Sequence, residues 1–193
     1  MQRILLNLLV PSYLALASAQ ASTGNLFPEG SMEIPGDQGV AEGFTYPDPN
    51  WLKGFGGRVT VENEDANRFI RVNMPKPEQL IACGFEIPVP EGAKSLRVTW
   101  RMRATVRELS NKDIHGGLGV VLIASWYAKP RSIGDRGYKF GGLTAVQETT
   151  AGWVQKETIL EVPEGKKFIA IAFGTKSTSA IADFDDIVVE KIP

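Results

Sequence analysis

From Leu96 to Arg107 the chain alternates without exception. Leu96, Val98, Trp100, Met102, Ala104 and Val106 fall on one face, and Arg97, Thr99, Arg101, Arg103, Thr105 and Arg107 on the other. Successive side chains of a β-strand point to opposite sides, so this segment reads as a strand with one face on an apolar core and the other toward solvent or a cleft. The rest of the chain carries the same punctuation. Apolar residues recur at every second position, or in short runs bounded by Gly, Pro, Asn and Asp. Candidate strands are 25–34, 40–45, 57–62, 69–73, 80–87, 95–107, 118–126, 138–144, 152–162, 167–174 and 182–191. So many short strands, with 20 Gly and 12 Pro to turn them, predict an all-β sandwich or barrel.

The first residues do not belong to that pattern. Arg3, a mostly apolar run from Ile4 to Leu16 and the small pair of Ala19-Gln20-Ala21 read as a secretory signal peptide over residues 1–21, with Ala17-Ser18-Ala19 as the alternative cleavage site. The run is too short and interrupted to span about 30 Å of hydrocarbon, so no membrane span is expected. Residues 22–193 then form one domain with a real core, secreted or periplasmic and taken as a monomer. The formal charge is −1 and becomes −2 once Arg3 is lost, which gives no general pull toward nucleic acid. Cys83 is the only cysteine. It excludes an internal disulfide and reads as a buried apolar-like residue, the alternative being a free thiol.

Catalytic signals are sparse. His115 is the only histidine, which excludes a multi-histidine metal site, and no Gly-x-Ser-x-Gly elbow accompanies it. No phosphate-cradling Gly-rich loop is present. Glu148, Glu157 and Glu161 lie on or near strands, where two carboxyls about 5–9.5 Å apart would suit glycoside hydrolysis.

Two segments match each other. Val89-Pro-Glu-Gly-Ala-Lys and Val162-Pro-Glu-Gly-Lys-Lys each join the end of one strand to the start of the next, and suggest equivalent corners in a two-sheet structure.

These pieces, with Asn25-Leu-Phe-Pro-Glu-Gly-Ser-Met-Glu33, Ala151-Gly-Trp-Val-Gln-Lys-Glu157 and the closing Ala182-Asp-Phe-Asp-Asp-Ile-Val-Val189, resemble in order the jelly-roll carbohydrate-binding modules attached to cellulases and xylanases. Met32 stands where the family usually has Phe. The resemblance implies an antiparallel β-sandwich of jelly-roll, galactose-binding-domain-like type, a non-catalytic role and a polysaccharide or other glycan as partner. It also implies a structural calcium held by Glu33, Asp185 and, as a third ligand, Glu62 or a neighbouring acid. Hard cations take several oxygen ligands, which such carboxylates supply; the other reading is that these acids satisfy local backbone groups or face water. A looser echo of jelly-roll alginate lyases, in Arg103–Glu108, Asp113-Ile-His115 and Tyr138–Gly142, has spacings that are too short and lacks the Gln of that family.

Sugar sites combine flat aromatic rings with planar polar groups. Trp100 is expected in the core and Trp153 packed. Trp51, Trp126, Tyr127 and Tyr138, in or beside irregular loops, are the candidate contact aromatics, with packing of the loops onto the sandwich as the other reading. Arg101 and Arg103, with Arg97 and Arg107, share one strand face. Such a row either grips ligand, including anionic sugars, or is neutralised by cross-strand pairing with Glu157 and Glu161. A glycan-binding protein, a small jelly-roll lyase or hydrolase, and an envelope or assembly protein are the function classes left standing.

Overall fold

A computed structural model describes residues 24–32, 58–77, 81–110, 119–130 and 139–192. The expected signal peptide, the candidate strand at 40–45 and His115 lie outside them. Among the described residues the chain forms nine strands: β1 Val59–Glu64, β2 Asn67–Met74, β3 Ile81–Pro88, β4 Ser95–Leu109, β5 Gly119–Tyr127, β6 Lys139–Val146, β7 Val154–Glu161, β8 Phe168–Lys176 and β9 Thr178–Ile192. They build two antiparallel sheets, one in the order β1-β2-β9-β4-β7 and the other β3-β8-β5-β6. The chain crosses between the sheets at six of the eight connections between these strands, with β1–β2 and β5–β6 as the two that stay within a sheet, which is jelly-roll topology.

The alternation in β4 does what its pattern demands. Leu96, Val98, Trp100, Met102 and Ala104 are buried between the sheets, with Ile70, Val72 and Met74 of β2 and Ala182, Phe184 and Val189 of β9. Cys83, Phe85 and Ile87 of β3, Leu122 and Trp126 of β5, and Ile169, Ile171 and Phe173 of β8 meet them from the other sheet. The aromatic members form a continuous chain, Phe27–Phe85–Phe173 with Trp100 and Phe184 around Phe173. Cys83 is the buried residue the sequence predicts, and burial pushes its thiol up to about 12.

The two Val-Pro-Glu-Gly corners are equivalent. In each, the residue after glycine donates its N–H to the proline carbonyl, Ala93 to Pro90 at 3.1 Å and Lys166 to Pro163 at 3.2 Å. Gly92 at φ 68° and Gly165 at φ 71° take the left-handed position that such a turn requires. One corner carries β3 into β4 and the other β7 into β8, and each is tied to the other's strand ends: Val162 N–H donates to the Lys94 carbonyl and Val89 N–H to that of Lys167.

The expected opening strand at 25–34 is not one. Among its described residues, Asn25 makes an isolated bridge to Glu190, and Pro28–Ser31 forms a short 3₁₀ helix ending on Met32 in the left-handed region. Pro28 withdraws a backbone donor at the first helical position. Asn25 pins this segment to β9: its side-chain oxygen accepts from Val189 N–H and Phe27 N–H, each at 3.0 Å. Gly30 then lies so close to the Ile187 carbonyl that a Cβ would collide with it.

Candidate functional site

The outward face of the five-stranded sheet holds the polar residues. Alternation on β2 turns Phe69, Arg71 and Asn73 outward, while Ile70, Val72 and Met74 go to the core. On β9, Asp183 goes outward between the core residues Ala182 and Phe184. Register then sets Arg71 opposite Asp183, and Asp183 opposite Arg103. The Asp183 carboxylate accepts Arg71 Nε on one oxygen at 2.7 Å. Its second oxygen accepts Arg71 Nη2 at 2.8 Å and Arg103 Nε at 2.7 Å. Arg103 reaches further, with Nη1 on Glu64 at 2.7 Å. The hydrogen bond to Asp183 is the largest influence on Arg71 and raises its pKa. At Arg103 burial works to lower the pKa, but the bonds to Asp183 and Glu64 outweigh it and the net direction is up.

Aromatic rings frame this lattice. Phe69 is buried although it faces outward, and Trp153 meets it edge to face at 5.5 Å. The Arg103 guanidinium lies 5.0 Å from the Phe69 ring centre and 4.8 Å from that of Trp153, and Arg101 lies 5.0 Å from Trp153. Cation–π contact of this kind holds a guanidinium plane in place without using its hydrogen-bond donors.

A groove of about 320 Å³ opens beside the lattice, lined by Arg71, Asp183 and Arg103, by Ile181, Thr105 and Ala104, and by Thr150 and Gly152 of the β6–β7 loop. Ile181 and Thr105 stand opposite each other one outward row along from Asp183 and Arg103. A planar polar wall thus adjoins an aliphatic patch. The groove lies at the lower end of the size range of small-ligand pockets, about 300–1,000 Å³.

The second outward acid of β9, Asp185, is fully buried. It accepts from Asn67 Nδ2 at 3.0 Å and from Asp186 N–H at 2.7 Å. Burial raises its pKa, and the Asn67 bond only partly opposes that. Asp186 takes φ 47° where the β4–β9 register slips, and receives Arg101 Nη1 at 2.8 Å.

The candidate site residues separate accordingly. Arg101 and Arg103 lie on the outward face of the five-stranded sheet, but Glu157 and Glu161 are not their partners; Asp183, Asp186 and Glu64 are, and Arg97 takes Glu190. Trp126 and Tyr127 are corrected. Strand β5 runs one residue past the expected end, so Trp126 stays on the inward face with Val120, Leu122 and Ala124, completely buried. Gly141 makes room for it: a Cβ there would run into the indole. Tyr127 is buried as well. Trp51, Tyr138 and Glu33 lie outside the described residues. Glu62 accepts the Thr60 hydroxyl at 2.7 Å, and among the described residues no group of three or more His, Cys, Asp or Glu is placed to hold a metal ion. Arg71, Asp183, Phe69 and Ile181 were missed. The alternation that turns them outward is present in the sequence, but the register that assembles them is not.

No family model matches the chain, and none of the curated proteins does. Solved structures do. A family 16 carbohydrate-binding module is similar over 82% of this chain and 99% of its own, at 15% identity and a TM-score of 0.50. The two share one fold, an antiparallel β-sandwich. Another such module, of the CBM4 type, matches 72% of this chain and 83% of its own, with 15% identity and TM-score 0.46. The CBM22-1 xylan-binding domain from Paenibacillus barcinonensis Xyn10C covers 71% and 83% at 14% identity and 0.42. At 15% identity the likeness to the family 16 module is one of architecture.

Proposed function

We propose that this is an exported, monomeric, non-catalytic protein that binds a neutral glycan in the groove on the outward face of the five-stranded sheet. The observation that carries the reading is the meeting of the Arg71–Asp183–Arg103 lattice with Ile181 and Thr105 in one groove. Sugars present hydroxyls that both donate and accept, beside apolar C–H faces, and a fixed planar array next to an aliphatic patch complements both. Neutrality follows from pairing. Arg71 and Arg103 face Asp183 and Glu64, Arg101 faces Asp186 and Arg97 faces Glu190. Arg71 and three arginines of the β4 row, Arg97, Arg101 and Arg103, are therefore each matched by an acid within the protein, which leaves the groove little positive charge to offer an acidic polysaccharide. Non-catalysis is supported by Asp183 itself, whose two oxygens are both occupied by guanidinium donors. Export rests on the N-terminal sequence; among the described residues no helix is long and apolar enough to cross a membrane.

The test is a glycan array on the mature protein, followed by calorimetry. Neutral oligosaccharides are expected to bind with little salt dependence, and Arg71→Ala is expected to weaken binding by about tenfold, the loss of a charge-assisted contact. Binding only to acidic polysaccharides, with affinity falling steeply as salt rises, would overturn neutrality. Absence of any sugar ligand would overturn the function.

Calcium enters the proposal at Asp185. This buried carboxylate lies on β9, against which the 24–32 segment leading to Glu33 is pinned, and a cation would relieve its buried charge. Chelator is expected to lower Tm by a few degrees and added calcium to restore it; a Tm indifferent to both removes the ion.

A further inference from the structure

Strand β7 pairs with β4 only from Ser95 to Met102, yet β4 continues to Leu109. The edge of β4 beyond Met102 is completed by two threonines from the loop before β7. Thr150 N–H donates to the Ala104 carbonyl at 3.0 Å, and Ala104 N–H donates to the Thr150 hydroxyl at 3.0 Å. That same hydroxyl donates to the Gly152 carbonyl at 2.8 Å. Thr149 repeats the device one pair along: its hydroxyl accepts Val106 N–H at 3.0 Å and donates to the Val106 carbonyl at 3.3 Å. Side chains thus stand in for a missing strand, satisfying peptide groups that an unpaired edge would leave open.

The consequence reaches the groove. Thr150 and Gly152 line it, and Gly152, at φ 116°, leads directly into Trp153, whose ring packs against Arg103. We infer that Thr150 is a positioning residue for the glycan site: its hydroxyl, bonded at once to Ala104 and Gly152, fixes the loop wall and the Trp153 ring that holds Arg103. This rests on the groove being the glycan site. The residue works through its neighbours, by pre-organising what a ligand would otherwise have to order.

The test compares Thr150→Val, which keeps the shape and loses the hydroxyl, with Thr150→Ser, which keeps the hydroxyl. Calorimetry uses cellohexaose, xylohexaose and mannohexaose; amide hydrogen exchange follows Ala104 and Thr150. Thr150→Val is expected to bind the preferred hexasaccharide about tenfold more weakly and to speed exchange at both amides by about tenfold or more, with Tm changed by no more than about 3 °C. Thr150→Ser is expected to stay within about twofold of the unaltered protein in affinity and exchange. Wild-type affinity in Thr150→Val, or a Thr150→Ser as weak as Thr150→Val, would overturn the inference. If the unaltered protein binds none of the three sugars, the functional proposal fails at this groove and the positioning role falls with it, whatever the exchange rates show. Binding by the unaltered protein with unchanged exchange in Thr150→Val overturns the positioning role alone.

Discussion

Replacing Asp183 with alanine is expected to destabilise the protein by about 2–3 kcal/mol and to remove glycan binding at the same time. The carboxylate is buried beneath two guanidiniums that are themselves about a third and a quarter exposed, with side-chain exposures of 32% for Arg71 and 26% for Arg103. Removing it leaves two like charges close together on one face, without their shared acceptor. A fully buried pair broken in this way costs about 3–5 kcal/mol; water reaching the arginines reduces that here. The corresponding fall in Tm is roughly 4–12 °C for a chain of this size. Asp183→Asn keeps the shape and one acceptor, and is expected to lose about half as much. Both are read from urea unfolding midpoints. An alanine variant as stable as the unaltered protein would show that the lattice is not the anchor of this face.

The second large effect is expected in the core. Phe173 points inward from β8 and touches Phe85 of β3 in its own sheet, and Trp100 of β4 and Phe184 of β9 in the other, at ring-centre distances of 6.4, 5.9 and 5.4 Å. It is the ring through which the two sheets share one aromatic cluster. Phe173→Ala removes that bridge and leaves a cavity that β-strands locked in register cannot collapse. The expected loss is about 4 kcal/mol, or roughly 8–16 °C in Tm. Phe173→Leu, which refills much of the volume, is expected to recover about half. A calorimetric Tm within a few degrees of the unaltered protein for Phe173→Ala would mean that the sheets are held together elsewhere.

How much of this was legible in the sequence depends on whether the information is local. The β4 alternation is local, and it became a strand of 15 residues with the expected face inward. The paired corners are local too, because Pro and a left-handed Gly define a turn by themselves. The opening segment misleads because its apolar residues suit a strand, whereas Pro28 and the close approach of Gly30 to β9 favour a 3₁₀ turn docked edgewise. Trp126 misleads because strand ends are read from turn signals, and one further residue of β5 keeps it inside.

The candidate site was the least legible part, since its partners are set by register. Glu157 and Glu161 lie on β7, the neighbour of β4, but they stand opposite Thr99 and Ser95, and the arginines there face Ile159 and Gln155. The acids come instead from β9, where the Asp185–Asp186 irregularity brings Asp186 within reach of Arg101. Arg71 meets Asp183 across 112 residues of sequence and Arg103 across 80. No spacing rule carries that information.

The most direct test of the central claim is an NMR titration of the mature, isotopically labelled protein with the neutral hexasaccharide it prefers. Binding at the groove is expected to perturb the amides of Arg71, Arg103, Thr105, Thr150, Gly152 and Ile181, and to leave Ala170 and Ala172 on the four-stranded sheet unmoved. Perturbations that centre on the four-stranded sheet, or a spectrum that no sugar changes, would contradict it.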